Sequence, residues 1–269
     1  MNARIFVLFL FLFSMNSYAS FENKGSGASF MATSFAGIAS PYIDFASILN
    51  PAALQFKNSP ELSFFYRNFY GLNELNQVAL HGNFSLADFP LGCAVSRFGN
   101  NLYSESQINL ATSYALDESV AIGIAASFYF LDIKNYSSAS SLGLSLALIY
   151  EINPDLFVTA VVNNFNEPEI GEVKEALPVS GTLAFSFQAT EMVELLVDVY
   201  KEDRYDFEYR FAAALQVIKD LKIMAGFRER INSFSAGLEY NLAGTAFIYS
   251  ADFHPTLNFS HAIGIRYAF

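Results

Sequence analysis

The sequence predicts an all-β fold: a transmembrane antiparallel β-barrel of about 14 strands, preceded by a short N-terminal helical plug. Three observations lead there. The chain is 53% hydrophobic, yet beyond residue 19 no stretch approaches a membrane-crossing helix in length, which takes ~20 apolar residues. From Glu61 to Phe269, short segments alternate apolar with small or polar residues at a period of two. Their connections sort by parity, tight after the even segments and mostly longer after the odd ones. Only helices and closed barrels satisfy every backbone group in hydrocarbon, so an apolar chain without long apolar helices points to a barrel.

Residues 1–19 read as a signal peptide. Arg4 precedes the apolar run Ile5 to Phe13, and Ser17-Tyr18-Ala19 puts small residues at the −3 and −1 positions. Cleavage after about Ala19 is expected, with the remainder exported to the outer membrane of a Gram-negative-type bacterium. Cys93 is the only cysteine, so no internal disulfide supports the fold.

Residues 20–58 are rich in Phe, Ile, Ala and Gly without sustained alternation. Asn50-Pro51 is helix-start chemistry, an Asn cap with Pro at the first helical position. The segment therefore reads as two short helical pieces, broken around Pro41 and re-nucleated at Asn50. Its expected place is the periplasmic mouth of the barrel or the lumen.

Residues 59–269 supply the wall. Fourteen alternating segments run over about 61–69, 75–86, 90–98, 106–116, 119–131, 141–151 and 155–164, then 178–188, 192–200, 206–217, 220–229, 233–240, 243–253 and 259–269. In the last, Phe259, His261, Ile263, Ile265, Tyr267 and Phe269 share one face, while Ser260, Ala262, Gly264, Arg266 and Ala268 share the other. An aromatic outer face and a small, polar inner face suit lipid on one side and a lumen on the other. Tyr267 and the terminal Phe269 are the expected signal to the barrel assembly machinery. The longer connections are 132–140 and 165–177, and the short-turn rim is assigned to the periplasm.

The inward faces are uneven. Between residues 79 and 184 they carry mostly Ala, Gly and Ser, too little to fill a barrel of this width, so water or the plug must occupy it. Charges concentrate later. Counting from the periplasmic ends puts Asp198 level with Arg210, Lys222 near Glu239 and Arg228 near Glu208, with Arg266 on the last strand. Such pairs mainly hold the wall and narrow the lumen. On the first strand Phe65 and Phe69 point inward, and Arg67 is placed to meet the plug.

The order Phe35-Ala36-Gly37-Ile38-Ala39, Asp44, Asn50-Pro51-Ala52 resembles the N-terminal hatch of the FadL-like outer-membrane superfamily, which includes long-chain fatty-acid transporters and the accessory barrels of type IX secretion. The C-terminal His254-Pro255 through Ser260-His261 to Phe269 is similar to the last loop and strand of its short members. The resemblance implies a plugged fourteen-stranded barrel and, in the transporters, passage of hydrophobic molecules admitted by hatch movement. The 165–177 loop departs from a greasy capture site, because it carries Glu167, Glu169, Glu172 and Glu175.

Composition also excludes classes. With 15 Lys+Arg against 26 Asp+Glu, a net charge of −11, and no basic cluster, nucleic acid is not a partner. His81, His254 and His261 belong to no nucleophile–base motif and no metal-ligand spacing. The expectation is a non-enzyme without metal or cofactor. Its expected partners are outer-membrane lipid, the assembly machinery, and either a small hydrophobic molecule or an envelope protein. Two functions remain: a passive hydrophobic channel gated by the plug, with a pocket lined by Phe30, Met31, Phe35, Phe65 and Phe69, or an accessory barrel of a secretion system.

Overall fold

The computed structural model describes residues 20–22, 24–57, 59–86 and 89–269. The expected signal peptide and the 87–88 turn lie outside the described residues. Two short helices open the described chain, α1 (Ala28–Ala32) and α2 (Ala46–Leu49), followed by a 3-10 helix, Pro51–Phe56. The first strands are β1 (Glu61–Asn68), β2 (Asn76–Leu86), β3 (Phe89–Gly99), β4 (Tyr103–Ala115), β5 (Val120–Ile133), β6 (Ser137–Asn153) and β7 (Leu156–Asn163). After the loop strands β8 (Glu169–Ile170) and β9 (Glu175–Ala176) come β10 (Ser180–Thr190), β11 (Val193–Glu202), β12 (Glu208–Ile218) and β13 (Leu221–Arg228). The wall ends with β14 (Ser233–Leu242), β15 (Thr245–His254) and β16 (Asn258–Ala268).

Fourteen of these strands close into one barrel in chain order, each antiparallel to its neighbours; β8 and β9 form a separate two-stranded hairpin. Closure is made by β1 against β16, from Glu61↔Ala268 to Asn68↔His261. Among the described residues no barrel strand is left as an edge, which is the condition for placing a sheet in hydrocarbon.

The alternation decides which residues face out. On β12, Tyr209, Phe211 and Leu215 are exposed while Glu208, Arg210 and Ala214 are buried. On β16, Phe259, Ile263, Ile265 and Tyr267 are exposed and Ser260 and Ala262 are buried. Such an outer face is costly in water, since covering one Leu or Phe side chain is worth ~1.5–3 kcal/mol. Lipid removes that cost.

The plug packs against the small inward residues. Its apolar side chains Met31, Phe45, Leu49 and Leu54 join Ala79, Ala121, Ala125 and Ala147 of the wall in one buried cluster. Glycine sets the approach distance. A Cβ on Gly123 would collide with the Ala52 nitrogen, and one on Gly226 would collide with the Thr33 carbonyl. Plug backbone lies directly on the wall at these points.

Two connections differ from the sequence expectation. The strands flanking the 132–140 loop stay paired up to Ile133↔Ser137, leaving only Lys134 to Tyr136 as the turn. Ser137 to Ser140 carry no apolar face, so alternation gives no sign of their ladder. The 165–177 loop folds into the β8–β9 hairpin, which buries Ile170 and Leu177 against Tyr129. In the plug, Asn50 does cap the next element, accepting from the Ala52 N–H at 3.1 Å, but that element is 3-10.

Candidate functional site between plug and wall

The plug enters from the short-turn rim, where Lys57 pairs with Glu61 at 2.9 Å. Its first residues end among the long loops on the opposite rim. Ser20 N–H donates to Glu175 at 3.0 Å, and the Tyr205 hydroxyl donates to Glu22 at 3.2 Å.

Each plug residue singled out in the sequence meets the wall or another plug piece. Gly37 and Ile38 donate their backbone N–H groups to the Asp198 carboxylate at 2.9 and 3.2 Å. Gly37 needs to be glycine: its φ is +108°, and a Cβ would stand 2.9 Å from Leu196. The Phe35 carbonyl accepts from Arg210 at 3.0 Å. The Phe35 ring lies beneath the guanidinium groups of Arg228, 4.6 Å away, and Arg67, 5.2 Å away. Asn50 donates to the Ile38 carbonyl at 2.8 Å and to Thr159 at 3.2 Å, tying both halves of the plug to β7. Ala52, beside Pro51, packs on Gly123.

Asp44 is held by Arg266 at 2.5 Å and accepts from the Ser29 hydroxyl at 3.2 Å. Burial opposes its ionisation, but the Arg266 guanidinium, with Lys57 and Lys222 nearby, holds the carboxyl below its ordinary value. Arg266 also reaches Glu239 at 2.6 Å, and Lys222 approaches Glu239 at 3.7 Å.

Asp198 and Arg210 are register partners on β11 and β12, yet each turns onto plug backbone; Arg210 takes Glu208 as its ion pair at 2.6 Å. Arg228 does not pair with Glu208, as the strand count expected. It is level with Arg210 and binds Asp252 on β15 at 3.0 Å. The Glu208 carboxylate is taken by Arg210 and Arg230. Arg67 donates to the Lys24 carbonyl at 3.0 Å and covers the Phe69 ring at 3.9 Å. At the short-turn rim the Tyr267 and Phe269 rings touch at 4.9 Å, and Phe269 N–H donates to the Pro60 carbonyl at 3.0 Å.

A cavity of about 120 Å³ lies on the long-loop side of the plug, bordered by Phe21, Lys24, Phe30, Ile38 and Leu49 of the plug and by Phe98, Tyr129, Ser145, Asn164 and Arg210 around it. A second, of about 260 Å³, opens at the short-turn rim beside Leu54, Lys57, Asn83 and Pro90. Of the expected pocket residues only Phe30 borders the first cavity. Phe65 packs edge-on against Phe45 at 6.1 Å, and Phe69 against Phe98 at 5.4 Å. The plug covers Phe65 through Phe45, while Phe69 is covered by the wall residues Phe98 and Arg67; neither ring lines an open pocket.

The sequence reading missed Tyr129 and Asn164, which hydrogen-bond at 3.0 Å behind the cavity. Tyr129 was within reach, since it shares the inward register of Gly123 and Ala125. Asn164 lies just beyond β7, where alternation ends. Among the described residues no cluster of His, Cys, Asp and Glu could hold a metal.

No protein-family model matches the sequence, and no curated protein sequence matches it. Solved structures do match its fold. A deletion mutant of the monoaromatic hydrocarbon channel TodX superposes with a TM-score of 0.73 at 12% identity, over 93% of this chain and 100% of that one. The toluene transporter TbuX of Ralstonia pickettii gives 0.66 at 11%, over 90% and 98%. A FadL homologue of Pseudomonas aeruginosa gives 0.60 at 11%, over 91% and 99%.

Proposed function

We propose that this chain, a closed fourteen-stranded barrel with the fold of FadL-type transporters, is an outer-membrane channel for passive passage of small hydrophobic compounds. The observation that carries the reading is the 120 Å³ cavity on the long-loop side of the plug. An apolar cavity of about 150 Å³ accepts benzene; this one is of similar size, with an apolar side and a polar side. Phe21, Phe30, Ile38, Leu49 and Phe98 offer apolar contact, and Lys24, Glu105, Tyr129, Asn164 and Arg210 make the other side polar. The likeness to toluene and monoaromatic hydrocarbon channels points to the same substrate class. The long-loop rim is then the outer face, and the plug is the gate.

Gating is supported by how the plug is held. Asp198, Arg210 and Arg266 bind it through hydrogen bonds and ion pairs, which can break and reform without disturbing the closed ladder of the wall.

The test is uptake of radiolabelled toluene by cells of a strain lacking other hydrocarbon channels. Expression of the chain should raise the initial rate in proportion to substrate concentration, without an energy requirement. A rate equal to that of the empty strain, with capture of an envelope secretion component instead, would replace this reading by the accessory-barrel one.

A further inference from the structure

Residues 20–22, 24 and 25 hang between four separate parts of the long-loop end of the barrel. Ser20 N–H donates to Glu175 of the β8–β9 hairpin at 3.0 Å. The Phe21 ring meets Tyr129 edge-on at 4.9 Å. Glu22 accepts from Tyr205, in the β11–β12 loop, at 3.2 Å. Lys24 pairs with Glu105 near the start of β4 at 2.7 Å and covers the Phe98 ring at 4.3 Å. Phe21, Glu22, Lys24 and Gly25 also form one side of the 120 Å³ cavity. The strap is thus both a tether between loops and one side of that cavity.

We propose that the latch of this strap is made by proteolytic processing. Hydrolysis of the Ala19–Ser20 peptide bond by a signal peptidase adds one water: the C–N bond breaks, Ala19 leaves as a carboxylate, and the Ser20 nitrogen becomes an α-ammonium. That nitrogen already lies at hydrogen-bond distance from the Glu175 carboxylate. A free α-amino group titrates at ~7.7–8.0, so at neutral pH an amide hydrogen bond becomes a charge-assisted one, shorter and stronger. Processing also frees an end that can be threaded through the lumen, from the short-turn rim where Lys57 leads into β1 to the opposite rim. Release of the Ser20–Glu175 pair opens the cavity towards the outer face.

The role of the latch in passage rests on the transport reading above; its existence does not. The experiment uses the purified mature protein and has three readouts. N-terminal sequencing should find Ser20 first. Brief modification with an amine-reactive ester at neutral pH, followed by mass analysis of the N-terminal peptide, should go about tenfold slower in the wild type than in Glu175→Gln, as loss of a charged hydrogen bond implies. Lys134 and Lys174 of the outer loops provide the reference rate. Glu175→Asp, which keeps the charge, should retain protection and guards against a folding defect in the Gln variant. Toluene uptake should rise in Glu175→Gln. A mature chain starting elsewhere, or equal labelling in wild type and Glu175→Gln, would overturn the latch. Normal protection with no uptake by the wild type would end the transport reading alone.

Discussion

Arg266 of the closing strand holds Asp44 of the plug at 2.5 Å, and the same guanidinium binds Glu239 of β14 at 2.6 Å. One side chain therefore fastens the plug and spans the wall, and the Asp44 carboxyl is held below its ordinary value of 3.8 despite burial. Breaking a buried pair by removing one partner costs ~3–5 kcal/mol, mostly from the charge left behind.

The sign of the pH dependence follows from that depressed value. The contribution of Asp44 is fully present above the unfolded carboxylate range and is lost as pH falls through the lower, folded value. Planar-bilayer conductance of the wild type should stay low at neutral pH and rise in strong acid. In Asp44→Asn the conductance should already be raised at neutral pH, with a smaller acid step. An unchanged acid profile in that variant would assign the step to other carboxylates.

Asp198 accepts both the Gly37 and Ile38 N–H groups, each of which loses its partner in Asp198→Ala. An unsatisfied buried donor costs ~1–3 kcal/mol. The variant should keep its barrel, read as heat-modifiable migration in gels, while limited proteolysis cuts the plug several-fold faster than in the wild type.

Gly123→Ala should expel the plug, because the added carbon would collide with plug backbone that cannot step aside. Gly181→Ala is the control, since its new carbon would meet only the Val161 carbonyl oxygen, at 4.0 Å. The first variant should show a large open conductance close to that of a chain deleted for residues 20–58. The second should match the wild type.

Removing Phe269 eliminates its hydrogen bond to the Pro60 carbonyl and its ring contact with Tyr267, both at the seam where the barrel closes. The heat-modifiable species should decline in favour of unfolded chain, measured by gel densitometry of outer-membrane fractions.

The wall was legible because its period of two is imposed residue by residue: Tyr209, Phe211 and Leu215 face out, and Arg210 and Ala214 face in, as alternation dictates. Depth was legible where strands run without interruption, as for Asp198 level with Arg210 and Lys222 level with Glu239. Register did not reveal which atoms would meet. Asp198 and Arg210 both turn to the plug, and a segment with no period of its own leaves no trace of its path in the pattern of the wall. The partner of Arg228 is hidden for a related reason: Asp252 lies two strands away, across β14, where a neighbour-by-neighbour count does not look. Alternation turns Phe65 and Phe69 inward, but it cannot name their cover, which is Phe45, Arg67 and Phe98.

The most direct measurement of the central claim is toluene uptake by Ser145→Phe. Ser145 borders the 120 Å³ cavity from β6, so a phenyl ring there occupies the space the substrate needs without replacing Asp198, Arg210 or Arg266. With heat-modifiable migration unchanged, uptake should fall to the level of cells without the chain, while larger variants of the outward-facing Leu146 leave it intact. Uptake by Ser145→Phe equal to that of the wild type would contradict passage through this cavity.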